Sequence, residues 1–398
     1  MLAGCALPPP VTPGRQPAPS AATPVVPGNE ARLLVDGPRT HAAMFEAMAR
    51  ARHHVNIETY ILDDGPPGEK LAALLAAKVK EGVKVNVLYD SVGSIKTPKA
   101  YFQKLRDSGV AVCEFNPVKR LGKVNNRNHR KILVVDGEVA FTGGINISET
   151  YVSGSGKARR RTGKDEDRKD GWRDTHVRVE GPVVAQFQQL FLDSWARQDC
   201  GGSEDARYYP RLERKGTKPM QVVRSDPGTD RSEMYLALLS ALGQARGRAW
   251  LTFGYFVPDP ETKSALIEAA RRGVDVRLVL PGFSDFWAPV YAGRSHYEEL
   301  LEAGVRIYEW HDALMHAKTA VVDGAWASVG STNLDWRSFV HNYEADLIVH
   351  DAAFAAELAR RFEIDLKAAD EVRLEQWRLR PARERVKEWL ARQWEYLL

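Results

Sequence analysis

The hydrophobic and polar positions of the chain follow two alternating periods. Four segments rich in β-branched and aromatic residues are typical of buried strands, and two longer segments carry apolar residues at helical spacing and end at a glycine. The strand segments are residues 53–62, 83–90, 248–257 and 274–282, and the helical segments are residues 68–82 and 261–273. Strands that alternate with helices predict an α/β fold, with a mainly parallel β-sheet covered by flanking helices.

The order of these segments repeats in the second half of the chain. Tyr60 matches Tyr255 and Gly82 matches Gly273, with a separation between the copies that changes only slightly. Such a slowly changing separation indicates a duplicated domain with a few loop deletions. We predict a Pro-rich tail over residues 1–28, an N-terminal domain over 29–200, a polar linker over 201–219 and a C-terminal domain over 220–398.

A pattern of five polar or small residues occurs once in each half with identical spacing. It runs His-x-Lys-x4-Asp and continues to a Gly and an Asn. Its residues are His129, Lys131, Asp136, Gly143 and Asn146 in the first copy, and His316, Lys318, Asp323, Gly330 and Asn333 in the second. Residues two apart on a strand share a face, so the His and Lys of each copy are expected to enter one pocket. A single buried His is more often structural, but two matched sets favour a functional site.

The two motifs and the sequence around them resemble the phospholipase D superfamily, and in particular its bacterial cardiolipin synthase branch. The first motif is HRKILVVDGEVAFTGGIN and the second is HAKTAVVDGAWASVGSTN, and other resembling segments include IETYILDDGPPGEKL and STNLDWRSFVHNYEADL. The resemblance covers nearly the whole chain from about Leu33. It implies two tandem phospholipase D-like domains that share one active site at their interface.

The resemblance also implies roles for individual residues. His129 is expected to be the nucleophile and His316 the general acid and base, although the symmetry of the motifs alone does not separate them. The phosphate is expected to bind Lys131, Lys318, Asn146 and Asn333. Two carboxylates, Asp174 and Glu344, are each expected to hydrogen-bond a motif His. Each is located by its separation along the sequence from the His of its own half. Structural positions are expected at Asp136, Asp323, Gly143, Gly144, Gly330 and Ser331.

Residues of these types suit the transfer of a phosphodiester without a metal or another cofactor. Two ammonium groups and two amides can neutralise the anionic oxygens, one imidazole can attack phosphorus, and a second can protonate the leaving alkoxide. The predicted function is that of a cardiolipin synthase-type phosphatidyltransferase that acts on phospholipids through a phosphohistidine. The alternatives are a phospholipase D hydrolase and a nuclease of the same superfamily. A non-catalytic lipid-binding scaffold is disfavoured, because both His-Lys pairs are present.

Composition narrows the partners that we expect. The 398 residues exceed what one hydrophobic core usually organises, and a net charge of +4 suits an anionic partner. We expect phospholipid substrates, among them phosphatidylglycerol, and a membrane surface. Nucleic acid is not expected, because the sequence has no basic stretch with interleaved aromatic residues. The oligomeric state is left open.

The N-terminal segment and the cysteines bear on location. Cys5, Cys113 and Cys200 lie far apart and lack metal-ligand spacing, so neither a metal site nor a disulfide framework is predicted. Leu2 to Cys5 resembles a lipobox, which makes Cys5 a candidate lipidation site if the true start lies upstream. Otherwise the Pro-rich segment is an ordinary disordered tail. The predicted location is the cell membrane, with peripheral or lipid-anchored attachment, and the cytoplasmic face is the alternative.

The C-terminal stretch has an amphipathic pattern. It places Val386, Trp389, Leu390 and Leu397 at helical spacing with basic residues between them. This pattern is typical of a helix at a lipid surface, and equally of a helix packed on its own domain. The basic loop from Lys157 to Arg161 is a second candidate for contact with anionic head groups.

Overall fold

The computed structural model describes residues 23–118, 125–155, 171–202, 205–228, 232–284 and 286–397. The tail with Cys5, the loop from Lys157 to Arg161 and the side chain of Leu397 lie outside the described residues, so the expectations for them stay predictions. Within the described ranges, no helix combines the length and the apolar character needed to cross a bilayer.

Strands and helices alternate in both halves. The strands of the N-terminal half are β1 Val26–Val35, β2 His54–Thr59, β3 Lys84–Asp90, β4 Ala111–Phe115, β5 Arg127–Asn128, β6 Ile132–Val135, β7 Val139–Gly143 and β8 Thr175–Glu180. Its helices are α1 Asp36–Ala49, α2 Pro66–Lys80, α3 Lys99–Asp107 and α4 Val184–Arg197.

Over the described residues, the C-terminal half repeats this order with two helices in the place of α3 and without an equivalent of β5, and then adds a strand and two helices. Its strands are β9 Lys218–Ser225, β10 Arg248–Phe253, β11 Asp275–Pro281, β12 Arg306–Trp310, β13 Lys318–Val322, β14 Trp326–Gly330, β15 Asn342–Val349 and β16 Ala369–Val372. Its helices are α5 Glu233–Gln244, α6 Pro260–Arg271, α7 Trp287–Arg294, α8 Tyr297–Glu302, α9 Ala352–Lys367, α10 Leu374–Arg378 and α11 Ala382–Arg392. The predicted strands β2, β3, β10 and β11 and the predicted helices α2 and α6 are confirmed.

The strands of the described residues form a single 16-stranded sheet. Its order is β16-β12-β11-β10-β13-β14-β15-β9-β1-β8-β7-β6-β2-β3-β4, with β5 attached to β15. Equivalent strands occupy matching places on either side of the centre, where β9 pairs antiparallel with β1. The α/β fold and the duplication predicted from the sequence are therefore confirmed.

The prediction of a mainly parallel sheet is wrong. Parallel pairing joins β2 to β3 to β4 and β10 to β11 to β12, where helices provide the crossovers. The motif strands instead form tight hairpins, β6 with β7 and β13 with β14, and tight turns make neighbouring strands antiparallel. The pairs β1 with β8, β7 with β8 and β14 with β15 are also antiparallel. The strand and helix cycles visible in the sequence therefore describe only the outer part of each half.

Helices cover both faces of the sheet. On one face α4 and α9 pack across the centre, where side chains such as Phe187 and Phe362 share one core with β1, β8 and β15. On the other face α1, α2 and α3 cover the N-terminal half, and α5, α6 and α8 cover the C-terminal half. Ile132 and Leu133 of β6 enter opposite cores, as the alternation of side chains along a strand requires. The strands that carry the motifs are therefore packed on both faces of the sheet.

Cys113 and Cys200 form a disulfide, although no disulfide framework was predicted. Their Cα atoms are 5.8 Å apart, and the two residues are separated by 87 positions in the sequence. Cys113 lies on β4 and Cys200 follows α4, and both pack beside Phe115 and Trp195. The fold alone brings them together, so their spacing in the sequence carries no sign of the pairing.

The domain boundaries at 29, 201 and 220 stay predictions. The first strand begins at Val26 and the strand that opens the second half begins at Lys218, so each starts slightly before its predicted domain. Because β1 and β9 pair with each other, the two halves meet within one continuous sheet.

Candidate active site

The two motifs lie at the start of equivalent hairpins. His129 and Lys131 come just before β6 rather than on it, and Lys318 is the first residue of β13. In both copies the Lys turns back on its own His: the Lys131 ammonium donates to the backbone oxygen of His129 at 2.5 Å, and Lys318 makes the same contact with His316. The strands that follow are fully buried, which anchors each His-Lys pair in the interior.

Each motif His is bound to a carboxylate from the opposite half. Nδ1 of His129 lies 2.9 Å from the Glu344 carboxylate, and Nδ1 of His316 lies 2.7 Å from Asp174. Because a carboxylate only accepts hydrogen bonds, Nδ1 is the donor in both pairs. Asp174 and Glu344 therefore each bind a motif His, as expected. The expectation that each binds the His of its own half is wrong, because each binds the His of the other half.

The backbone explains the crossed pairing. The His129 N–H donates to the Tyr343 carbonyl at 2.9 Å, and the His316 N–H donates to the Arg173 carbonyl at 2.8 Å. Each of these carbonyls immediately precedes the carboxylate that holds the ring. The strands β8 and β15 are adjacent to the central pair β1 and β9, so the start of each faces the motif of the other half. The two halves therefore contribute to one site.

The two motif asparagines are held in equivalent ways. Oδ1 of Asn146 accepts from the backbone N–H of Ile61 at 3.0 Å, and Oδ1 of Asn333 accepts from the N–H of Tyr255 at 3.3 Å. Both donors lie in the loop that follows the first parallel strand of their half. With the oxygen engaged in this way, the amide nitrogen is the end of each side chain that can donate to a phosphate.

The small residues of the motif tails allow the carboxylate strands to approach closely. A Cβ added to Gly143 would lie 2.5 Å from the Thr175 backbone oxygen, and one added to Gly330 would lie 2.5 Å from the Cα of Asp346. At Gly144 it would lie 2.6 Å from a carboxylate oxygen of Asp174.

Ser331 occupies the place that Gly144 has in the first copy. Its hydroxyl accepts from the Ala345 N–H at 3.0 Å, and its backbone oxygen lies 3.2 Å from Nδ1 of His129. The serine therefore contacts both the carboxylate strand and the imidazole.

The motif aspartates lie at the hairpin turns, away from the imidazoles. Asp136 and Asp323 adopt left-handed φ angles of 53° and 50°, which Asp tolerates better than most residues. The Asp136 carboxylate accepts the N–H groups of residues 52, 53 and 54, and Asp323 accepts those of residues 246, 247 and 248. Each aspartate therefore fixes its hairpin to the residues that enter the neighbouring parallel strand.

Burial controls the charges of the site. It lowers the pKa of His129 to about 4, although the Glu344 carboxylate opposes this shift. Burial also lowers the pKa of Lys131 to about 7 and that of Lys318 to about 8, because an ammonium loses its hydration in the interior. It raises the pKa of Asp174 to about 6, against the attraction of Lys318. The His129 imidazole is therefore neutral near pH 7.

The pKa of Glu344 shifts in the opposite direction to that of Asp174. Burial raises its pKa, but the neighbouring His129 and Lys131 outweigh burial, so the pKa lies below its usual range. The carboxylate that holds His129 is therefore ionised at neutral pH, and it keeps the proton of that imidazole on Nδ1.

The structure places four aromatic residues around the imidazoles, and the sequence patterns predicted no role for them. The Tyr60 ring lies 5.1 Å from that of His129, and the Trp172 and Tyr255 rings lie 4.8 and 6.3 Å from that of His316. The Tyr151 hydroxyl lies 3.3 Å from Nδ1 of His316. Tyr60 and Tyr255 are the matched pair that indicates the duplication. Their recurrence in both halves is the sequence feature from which a place in the site could have been predicted.

Two buried arginines were also missed. Arg130, the residue between His129 and Lys131, donates to the Glu344 backbone oxygen at 3.1 Å and to Asp226 at 2.5 Å. Arg173, which precedes Asp174, donates to its backbone oxygen at 2.5 Å. Each arginine fixes the backbone of a carboxylate that holds a motif His.

The site brings two imidazoles, two ammonium groups and two amides together. This donor set can hold a phosphodiester, supply a nitrogen nucleophile and exchange a proton with an alkoxide. In the part of the chain that the structure describes, no three His, Cys, Asp or Glu side chains converge as metal ligands.

Comparisons with known proteins agree with this geometry. Residues 44–156 and 238–366 match the family model described as the cardiolipin synthase, PLD-like domain. Cardiolipin synthase 1 of Bacillus cereus is 34% identical over 368 residues, which cover 90% of this chain and 70% of that protein. The cardiolipin synthase of Alkalihalophilus pseudofirmus is 37% identical over 358 residues, which cover 89% of this chain and 69% of that protein.

A solved structure shares the fold. The phosphatidylserine synthase of Haemophilus influenzae superposes with a TM-score of 0.69 at 13% identity, covering 92% of this chain and 95% of that chain. The family match and the identity to curated relatives show that the chain belongs to the cardiolipin synthase branch of the phospholipase D superfamily, as an enzyme of the phosphatidyltransferase type.

Proposed function

We propose that this phosphatidyltransferase takes a phosphatidyl group from phosphatidylglycerol and transfers it to a hydroxyl of a second phospholipid, with cardiolipin as the product. The observation that carries the proposal is the crossed arrangement of the two imidazoles. Each is held at Nδ1 by a carboxylate of the other half, which directs its chemistry to Nε2. Two such groups permit a double displacement at one phosphorus atom.

In the first displacement Nε2 of His129 attacks phosphorus. The P–N bond forms while the P–O bond to glycerol breaks, and the departing alkoxide takes a proton from Nε2 of His316. The neutral state of the buried His129 supports its role as nucleophile, because a protonated imidazole has no lone pair to donate. Glu344 stabilises the positive charge that this ring acquires in the phosphohistidine.

In the second displacement the acceptor hydroxyl gives its proton to Nε2 of His316 and attacks phosphorus. The P–N bond breaks and His129 regains its lone pair, so both groups return to their starting states. Two displacements give net retention at phosphorus and ping-pong kinetics. Lys131, Lys318 and the two motif asparagines hold the phosphate oxygens in both steps.

The proposal requires no metal, because the ammonium groups and amides neutralise the phosphate. Activity should therefore persist in excess EDTA. Loss of turnover in EDTA that a single divalent ion restores would contradict this part of the mechanism.

We also propose that the protein works at a membrane face exposed to an oxidising compartment. The Cys113–Cys200 disulfide supports this location, because disulfides persist outside the reducing cytosol. The candidate lipidation site at Cys5 would fit the same side of the membrane. Alkylation of membranes from expressing cells, without reductant, should leave Cys113 and Cys200 unmodified. Labelling of both without reductant would favour the cytoplasmic face.

The function is tested by product identity. Purified protein is incubated with labelled phosphatidylglycerol, with and without phosphatidylethanolamine, and the lipids are separated. Labelled cardiolipin is the expected product, and His129→Ala and His316→Ala serve as matched inactive controls. Phosphatidic acid alone would indicate a hydrolase, and cleavage of DNA without lipid turnover would indicate a nuclease.

A further inference from the structure

The helix α11 is oriented opposite to an ordinary surface helix. The stripe that faces the protein, at positions one turn apart, consists of the buried Glu388 and Ala391 and the half-buried Glu384 and Glu395, the last of which lies beyond the helix end. Glu388 is only 4% exposed, whereas Trp389 beside it is 62% exposed. Amphipathic helices normally turn their apolar side inward. An acidic stripe inside and an apolar side outside therefore require an explanation.

Specific partners hold the acidic stripe in place. Glu388 pairs with Arg380 at 2.8 Å, and Glu395 lies 3.1 Å from Nε2 of His296. Ala391 packs with Val257 and Ala292, against the helix α7. These contacts fix the orientation of the helix. The exposure of its apolar side therefore does not result from loose attachment.

The outer side combines apolar residues with basic flanks. Val386, Trp389 and Leu390 of α11 are exposed, and so is Trp394 just after the helix. At about 100° per residue, Arg383 and Lys387 lie on one flank of this apolar strip, and Arg385 and Arg392 lie on the other. All four basic residues are exposed. We call the apolar strip together with its four basic residues the α11 face.

The α11 face lies beside the second motif. The Tyr396 ring, at its C-terminal end, is 5.4 Å from the Trp336 ring, and Trp336 follows the motif residue Asn333 by three positions. Tyr396 also lies 6.1 Å from the His341 ring. A surface that binds the α11 face is therefore brought next to the loop that carries one of the phosphate-binding amides.

We propose that the α11 face docks onto a bilayer that contains anionic phospholipids. Tryptophan side chains favour the boundary between head groups and acyl chains, and basic residues on both flanks of an apolar strip match anionic head groups. A second copy bound by the same face would place these basic flanks against each other, because a two-fold interface is self-complementary. The bilayer is the occupant that matches the charge of this face. The proposal rests on the proposed function only in that the lipid substrates reside in the bilayer.

Vesicle binding tests the proposal without requiring turnover. The full chain is sedimented with vesicles of equal parts phosphatidylglycerol and phosphatidylcholine, and with vesicles of phosphatidylcholine alone. The double variant Trp389→Ala/Leu390→Ala should bind the mixed vesicles at least about tenfold more weakly, because it removes two of the large apolar side chains that leave water on docking. The matched control is Ile364→Ala on α9, where Ile364 is 54% exposed; it should bind like the wild type.

The basic flanks are tested separately. Arg383→Gln/Arg385→Gln should lose most of the preference for mixed vesicles over phosphatidylcholine, because the remaining apolar strip does not distinguish the two. Melting temperatures of all variants should match the wild type, since the substituted side chains are exposed.

Three outcomes would overturn the docking proposal or separate it from the proposed function. Wild-type binding by the Trp389→Ala/Leu390→Ala variant would overturn it. A wild-type dimer that this variant converts to a monomer, seen by analytical ultracentrifugation, would assign the face to a second copy instead. Vesicle binding with no cardiolipin formed would leave the docking surface intact and contradict the proposed function alone.

Discussion

At the scale of single residues, the two imidazoles have equivalent surroundings but are assigned different tasks. His129 carries the phosphatidyl group and His316 moves the proton. With a poor leaving group, His316→Ala should lose about 10²- to 10⁴-fold in the first step. With an activated leaving group such as p-nitrophenol, which departs without a proton, the same variant should recover most of that loss. His129→Ala should stay inactive with both substrates, and its rescue by p-nitrophenol release would reverse the assignment.

The crossed carboxylates give a second prediction from the same assay. Because Glu344 holds the nucleophile, Glu344→Gln should remain slow with either leaving group. Asp174 holds the acid, so Asp174→Asn should resemble His316→Ala and recover with p-nitrophenol. Each amide variant should reduce the rate with a poor leaving group by about 10²-fold or more, since the imidazole loses its fixed tautomer and its charge partner. The opposite pattern together with rescue of His129→Ala would reverse the roles of the two imidazoles, and the opposite pattern without that rescue would contradict the coupling of each carboxylate to the His that it contacts.

The lysines predict how activity depends on pH. Since the pKa of Lys131 is lowered to about 7 and that of Lys318 to about 8, raising the pH through this range removes positive charge from the free site. The kcat/KM for an anionic phospholipid should therefore fall above about pH 7, and in Lys131→Arg the midpoint of the fall should move upward toward about 8.

Unfolding does not account for that fall. Between pH values of about 7 and 10.5 the unfolded chain keeps the Lys131 proton that the folded chain has lost, so this group makes folding more favourable as the pH rises. A melting temperature that collapses in step with kcat/KM would contradict the assignment to the lysines.

At the scale of elements, the hairpin that carries each motif depends on a small residue where it meets the carboxylate strand. A Cβ on Gly330 would lie 2.5 Å from the Cα of Asp346 on β15, and backbone cannot move as a flexible side chain can. Gly330→Ala should therefore lower the free energy of unfolding by about 1–3 kcal/mol or more and reduce activity. In the control Gly243→Ala, on α5, the added Cβ meets nothing within 4 Å, so stability should stay the same or increase slightly. Equal melting temperatures for the two variants would exclude the clash.

Local pattern predicted the elements better than their arrangement. The apolar periods of β2, α2, β3, β10, α6 and β11 were evident in the sequence, because each depends on residues a few positions apart. Strand direction was not evident, because it depends on which element follows each strand: a helix gives a parallel neighbour, and the turn at Asp136 gives an antiparallel one.

The same limit applies to the site. The fixed spacing of His129, Lys131 and Asn146 identified the polar residues, and the carboxylates were found by matching the two copies. Their true partners, the Cys113–Cys200 disulfide and the supporting arginines depend on contacts between distant segments. No separation along the chain encodes these contacts.

At the scale of the whole molecule, the site exists only while the two halves keep their relative position. One continuous sheet joins them through β1 and β9. A buried ion pair reinforces this joint: Arg173, from the N-terminal half, donates to both carboxylate oxygens of Asp365 on α9, at 3.0 and 2.6 Å. Both side chains are almost completely buried. The Arg173 carbonyl also accepts the His316 N–H, so the ion pair is coupled directly to the proposed acid.

The last prediction tests this coupling. Arg173→Met leaves Asp365 buried without its bidentate partner, so the free energy of unfolding should fall by about 3–5 kcal/mol. Arg178→Met is the matched control on β8, because Arg178 pairs with Glu180 at a half-exposed position and its loss should cost less than about 1 kcal/mol. The double variant Arg173→Met/Asp365→Leu should regain much of the stability, since no buried carboxylate is left without Arg173 and the Arg361 guanidinium that also contacts Asp365 is partly exposed to water. Its kcat should stay low, because the Asp174 backbone has still lost the arginine that holds it. Denaturant unfolding and the cardiolipin assay measure the two effects, and recovery of both together would show that Arg173 contributes to stability alone.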